Sequence, residues 1–119
     1  DGFESDIAQG GSNISGGQKQ RLSIARALVR DPEVYVFDDS FSALDFKTDS
    51  KLRAAMKEVT ANATVLLVAQ RVSTVMDADR IIVLDDGGIV GIGKHRELMA
   101  TCDVYREIVS SQLSEEESA

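Results

Sequence analysis

The sequence predicts an α/β fold, and three observations carry that expectation. Ser15-Gly16-Gly17-Gln18 has the pattern of a capped helix start and opens a run of periodic apolar residues. Two short β-rich apolar runs follow, Val34–Phe37 and Thr64–Ala69, with an amphipathic stretch between them. The first of these runs ends in two carboxylates, Asp38 and Asp39.

Each element has a local reason. Ser15 followed three residues later by Gln18 is a capping box, so a helix should begin there. Leu22, Ala25, Leu28 and Val29 recur at the spacing of one buried helical face. Gly16 and Gly17 lack a Cβ, so a ligand can approach their amides closely. Those amides are unpaired donors at the positive end of the helix dipole, and an anion is their natural partner. The four residues alone describe no more than an ordinary capped helix. Asp31-Pro32 should stop that helix, because proline disfavours helical geometry in the residue before it. Val34-Tyr35-Val36-Phe37 then reads as a strand buried on both faces. Asp38 and Asp39 sit at its carboxyl end, where open α/β sheets place their ligands. Ser42-Ala43-Leu44-Asp45 forms a turn, and an amphipathic helix is expected over Thr48 to Val59. Thr64–Ala69 should be a second buried strand, ending at Gln70-Arg71. A bare helix tip and an acidic strand end at short range give one surface for phosphate and one place for a metal and a water.

Taken in this order, the elements resemble the nucleotide-binding domain of ABC transporters of the exporter type. Ile14-Ser15-Gly16-Gly17-Gln18 is similar to the family signature, usually Leu-Ser-Gly-Gly-Gln. Val34 to Asp39 resembles the Walker B strand, and Ser42-Ala43-Leu44-Asp45 matches the D-loop. Gln70 falls where the family places its switch histidine. Asp6-Ile7-Ala8-Gln9-Gly10-Gly11 lies where exporters carry the loop that touches the membrane domain. The resemblance runs to about Ile108 and implies a P-loop NTPase-like ABC ATPase fold in part. It would comprise the signature helix, the Walker B strand and the strands and helices after them. No Gly-x-x-x-x-Gly-Lys-Ser/Thr segment occurs, so the Walker A half is expected upstream, in a longer polypeptide. On this reading residues 1–110 are the C-terminal part of the domain and residues 111–119 an acidic flexible tail. The chain alone is expected to bind ATP poorly.

The resemblance also implies roles. Two such domains would sandwich two ATP molecules head to tail. Ser15 and the amides of Gly16 and Gly17 would contact the γ-phosphate of ATP held by the partner, with Gln18 supporting that loop. Asp38 would hold the Mg2+ of this chain's own nucleotide through water, since magnesium keeps several waters beside hard oxygen ligands. Asp45 would lie at the dimer contact. Two positions depart from the family pattern. Asp39 stands where a glutamate normally polarises the attacking water, and one methylene fewer pulls the carboxylate back by roughly 1.5 Å. A misplacement of that order can cost about 100-fold in rate. Gln70 can hydrogen-bond a phosphate oxygen but cannot take a proton. The signature departs only at Ile14. A degenerate own site beside an intact signature implies a heterodimer, as in bacterial heterodimeric multidrug exporters. The expected partners are a second nucleotide-binding domain and transmembrane domains, and the expected location is the cytoplasmic face of the cell membrane.

Composition bounds the alternatives. Hydrophobic residues make up 43% of 119, enough for a core, and the apolar runs are shorter than the roughly 20 residues a bilayer span needs. The net charge of −7 argues against a nucleic-acid partner. The single cysteine, Cys102, excludes an internal disulfide and reads as a small buried hydrophobe. Arg80–Leu84 and Gly88–Ile92 read as strands joined by an Asp86-Gly87 hairpin turn. Lys94–Met99 should begin a helix and Val104 to Val109 a second, with His95, the single histidine, exposed near a helix start. A soluble non-transport ABC ATPase and a non-catalytic interaction fragment are the other functional readings, and an unrelated α/β domain would leave most of the motif matches to chance.

Overall fold

The computed structural model describes residues 2–118, and the side chains up to Ser114. They form two compact units, one ending at Val68 and one beginning at Ala69.

The first unit opens on two short 3-10 turns, Gly2–Glu4 and Gln9–Gly11. Asn13 ties the second down: its Oδ1 accepts from the Ala8 amide at 3.0 Å and its Nδ2 donates to the Asp6 carbonyl at 3.0 Å. Helix α1 spans Gly16–Leu28, strand β1 Val34–Asp38, helix α2 Phe46–Val59 and strand β2 Thr64–Val68. β1 and β2 pair in parallel, Val34 opposite Thr64 through Asp38 opposite Val68. Parallel pairing requires a crossover, which α2 provides. α2 starts two residues before Thr48 because Asp45 is its N-cap, its carboxylate accepting from the Thr48 amide at 3.0 Å. Asp31, at φ 46°, has left the helical region, as the following proline demands.

The core of this unit gathers Ile24, Tyr35, Phe37, Phe41, Leu44 and Met56, with Leu28, Leu52, Ala63 and Leu67 packed against it. Tyr35 and Phe37 stack at 5.8 Å. Two sequence expectations are corrected here. β1 buries one face: Tyr35 and Phe37 are inside, whereas Val34 and Val36 are exposed. In β2 only Leu67 is even half-buried. Among the described residues the sheet has two strands with one covered face, so alternate side chains stay in solvent. On α1 the inward face runs Gly17, Gln20, Ile24, Leu28, while Leu22, Ala25 and Val29 point out. Periodicity found the helix but not its inner stripe, because a glutamine sits on that stripe.

The second unit holds helix α3 (Val72–Val75), strands β3 (Ile81–Asp85) and β4 (Gly88–Gly93), helix α4 (His95–Thr101) and helix α5 (Asp103–Ser118). β3 and β4 are antiparallel, with an irregularity between Val83 and Leu84 that leaves Val90 without a partner in the register. Asp86 and Gly87, at φ 46° and 75°, are both left-handed, which is the type I′ turn that matches strand twist. Ile81, Val83, Leu98, Cys102, Tyr105 and Val109 make the core. His95 is half-buried rather than exposed. Its Nδ1 shares a 2.8 Å hydrogen bond with the Tyr105 hydroxyl, and the rings meet edge to face at 5.6 Å. α5 continues through residues 111–118, and Gln112 is part of the fold: its Oε1 accepts from the Val72 amide at 2.8 Å and its Nε2 donates to the Gln70 carbonyl at 2.5 Å. Residue 119 lies outside the described residues.

Candidate functional site

The tip of α1 is built by reciprocal capping. Ser15 Oγ accepts from the Gln18 amide at 3.1 Å, and Gln18 Oε1 accepts from the Ser15 amide at 2.8 Å. The Ser15 carbonyl takes the first intrahelical bond, from the Lys19 amide at 2.9 Å. That leaves the Gly16 and Gly17 amides ahead of the first i−4 acceptor, as a helix start dictates. The Ser15 hydroxyl still has its proton to donate, because an alcohol has one donor and two acceptor positions.

Opposite the tip lies the turn from Asp39 to Asp45. Ser15, Gly16, Gly17, Arg21, Ala43, Leu44, Asp45 and Thr48 line one open cleft of about 390 Å³. The cleft therefore joins the Ser15–Gly17 tip and Asp45, which lie far apart in the sequence. The two glycines differ in what they permit. A Cβ on Gly16 would lie 3.6 Å from the Ala43 Cβ, an ordinary contact. A Cβ on Gly17 would lie 3.1 Å from the Ala43 carbonyl oxygen. Gly17 is bare so that helix and turn can touch, in addition to any ligand's approach. Asp45 is exposed, and the Thr48 hydroxyl, followed by the Thr48 amide, holds its carboxyl below the ordinary aspartate range.

Asp38 ends β1 and Asp39 follows it, both exposed. Asp39 is left-handed at φ 52°, a conformation that costs a non-glycine residue on the order of 1–3 kcal/mol and persists only where its surroundings over-determine it. Here they do. The Asp39 amide donates to the Val68 carbonyl at 2.7 Å, and its carbonyl accepts from Ser42 Oγ at 3.0 Å and from Gln20 Nε2 at 3.2 Å. Gln20 Nε2 also donates to Ser42 Oγ at 2.9 Å, while its Oε1 accepts from the Ala43 amide at 2.8 Å. Sequence reasoning missed Gln20, whose only signal was a polar residue three positions after Gly17 on the helix. It also missed Asp49, fully buried in the first turn of α2 and paired with Arg53 at 2.6 Å.

Two carboxylates at a strand end are the hard oxygen donors that magnesium accepts, usually one or two of them completed by substrate phosphates. Among the described residues no group of three or more His, Cys, Asp or Glu side chains could hold a metal without such help. Gln70 belongs to the second unit, where its side chain is exposed and its carbonyl is held by Gln112. No helix among the described residues is long and apolar enough to cross a membrane.

Comparison with known proteins identifies the family. The sequence pattern of the family described as ABC transporter matches residues 2–42. An uncharacterized ABC transporter ATP-binding protein of Mycobacterium tuberculosis is 53% identical over 112 residues, covering 94% of this chain and 19% of that protein. The ATP-dependent lipid A-core flippase of Francisella tularensis is 42% identical over 113 residues, covering 95% of this chain and 19% of its own length. The structure of a bacterial Atm1-family ABC exporter with ATP bound superimposes with a TM-score of 0.89 at 37% identity, over 94% of this chain and 20% of that one. The chain thus spans about a fifth of the length of the relatives it matches. A capped signature tip, an acidic strand end and these similarities together show that the chain belongs to the ABC transporter ATP-binding domain family, with exporters among its homologues, and represents part of that domain.

Proposed function

We propose that this chain is the signature-bearing part of a nucleotide-binding domain that pairs with a second one and drives export across a membrane. The observation that carries the reading is the cleft shared by the Ser15–Gly17 tip and Asp45. A γ-phosphate held by the partner would take the Ser15 hydroxyl proton and the Gly16 and Gly17 amides as donors, with the helix dipole favouring its charge. The 37% identical exporter has ATP bound, which supports ATP as the ligand. At this chain's own nucleotide, Asp38 is the residue to hold Mg2+ and Asp39 the one to orient water and accept its proton. Magnesium, when bound, neutralises charge on the phosphoryl oxygens. As water bonds to the γ-phosphorus, the bond to the ADP oxygen breaks.

The finer proposal is asymmetry. Asp39 is one methylene short for a water-activating carboxylate, and Gln70 offers a hydrogen bond without a proton-accepting nitrogen. This chain's own nucleotide is then held more than it is cleaved, and its intact signature completes a competent site on a different subunit. Transmembrane domains of the same transporter complete the assembly at the cytoplasmic face of the cell membrane. Drugs or lipophilic compounds are the proposed cargo, and the lipid flippase among the relatives supports a lipophilic one. Apart from its parent domain, the chain is proposed to be inactive.

The test is ATPase activity of the complete transporter, alone and with candidate partner subunits. The double change Asp39→Glu, Gln70→His should raise turnover at this chain's own site by about tenfold to a hundredfold. Robust hydrolysis by the unaltered protein without a second kind of subunit would defeat the heterodimer.

A further inference from the structure

Gln20 lies outside every motif that the family resemblance supplies, yet its side chain is where the two halves of the site meet. We propose that Gln20 is a positioning residue that couples the two half-sites of this chain. It ties the Asp39 peptide, which serves the chain's own nucleotide, to the Ser15–Gly17 tip, which serves the partner's. This rests on the two-sided ATP sandwich proposed above.

The carboxamide has no freedom of orientation. The Ala43 amide can only donate, so it requires Oε1, and the Asp39 carbonyl can only accept, so it requires Nε2. One planar group thereby grips both ends of the segment Asp39 to Ala43. That segment carries a left-handed residue, Asp39, whose conformation depends on its hydrogen bonds. Gln20 is also one turn along α1 from Gly16 and Gly17, within the same rigid helix. A Cβ on Gly17 would lie 3.1 Å from the Ala43 carbonyl oxygen, so the tip and the turn pack closely beside the Gln20 bonds. A shift of the tip on meeting the partner's phosphate is therefore passed to the Asp39 peptide through Gln20 and Ala43, and the reverse holds equally. Loss of the carboxamide reaches the partner's nucleotide through the tip and the chain's own through Asp39.

The experiment compares Gln20→Ala and Gln20→Glu in the complete transporter with its partner subunit. Gln20→Ala should lower kcat by about tenfold to a hundredfold with KM for ATP unchanged within about twofold, the pattern of lost positioning rather than lost binding. Gln20→Glu keeps an acceptor for the Ala43 amide, but the carboxylate has no proton for the Asp39 carbonyl. Its kcat should therefore fall as well, again with KM for ATP unchanged within about twofold. If both variants keep kcat within about twofold, the coupling is refuted. It is equally refuted if kcat falls only in step with the folded fraction. Ser15→Ala separates this from the sandwich itself. Undiminished hydrolysis in Ser15→Ala defeats the sandwich, whereas loss in Ser15→Ala with silent Gln20 variants defeats only the coupling.

Discussion

The unit ending at Val68 and the unit beginning at Ala69 are of similar architecture on paper, each with two strands and helices packed on them, but they obey local rules to different degrees. In the second, neighbours in sequence pair: β3 and β4 form a hairpin across a type I′ turn, and α4 and α5 close on it. Its core is filled by Leu98, Cys102, Tyr105 and Val109, with side chains of the expected polarity. In the first, parallel strands are joined over a whole helix, a glutamine occupies the inner stripe of α1, and an aspartate is held left-handed. In the first unit the glutamine and Asp39 lie together where the chemistry is proposed to be, whereas the left-handed Asp31 and Asp86 stand at a helix exit and in a hairpin turn. Strain and buried polarity persist only where a network holds them.

That contrast can be broken first at the cores. Leu98→Ala should destabilise the second unit by about 2–5 kcal/mol and Phe37→Ala the first by about 3–5 kcal/mol, read from denaturant midpoints. Each loss should be accompanied by faster amide hydrogen exchange in its own unit. If Leu98→Ala loosened both units alike, the division at Val68 would not describe two separable cores.

The glycines sharpen it next. A Cβ on Gly91 would stand 3.0 Å from both Cys102 Sγ and Leu98 Cδ2, and one on Gly17 would stand 3.1 Å from the Ala43 carbonyl oxygen. Either alanine substitution should cost about 1–3 kcal/mol by overpacking. Gly91→Ala should leave ATPase activity per folded molecule unchanged, while Gly17→Ala should lower it. Gly16→Ala, with only an ordinary contact to meet, should cost less stability than Gly17→Ala in the same denaturation series. Equal activity in the Gly17 and Gly91 variants would remove the functional half of the contrast.

The smallest effect concerns pH, and the signs differ between the units. Asp45 has its folded pKa below the ordinary 3.8, so the folded chain binds fewer protons than the unfolded one in that range. Its contribution is present above 3.8 and lost as pH falls through the lower folded value. Burial pushes the Tyr105 hydroxyl above its ordinary 10.0, so the folded state keeps a proton that the unfolded state releases. Stability from that group falls as pH rises past 10.0. Asp45→Asn keeps a good N-cap and should flatten only the acid limb of a midpoint-versus-pH curve, whereas Tyr105→Phe should flatten only the alkaline one.

Much of the fold was readable from short-range chemistry. The Ser15–Gln18 capping box, the break at Asp31-Pro32, the Asp86-Gly87 turn and the burial of Cys102 all depend on residues within a few positions or on one side chain's polarity. Three candidate residues, Ser15, Gly16 and Gly17, share their cleft with a fourth, Asp45, and that meeting needed the turn to fold over the helix. The Asp45 cap moved the start of α2 from Thr48 to Phe46, a local signal overlooked because the aspartate was assigned to the turn.

By itself the sequence determined the order of the main helices and strands and the start of α1, the break after it and the hairpin turn, since caps, prolines and left-handed turn residues act within one or two turns of chain. It also determined which residue types stand at the helix tip, the strand end and position 70. Only the tertiary structure decided which side of α1 faces inward. Gln20 displaces the more apolar Leu22 and Val29 from that face because its carboxamide finds the Asp39 carbonyl and the Ala43 amide there. It likewise decided that His95 lies against Tyr105 and that Gln112 reaches back to Val72. A polar side chain goes inside when partners from distant segments satisfy it, and no local pattern records where those partners will be.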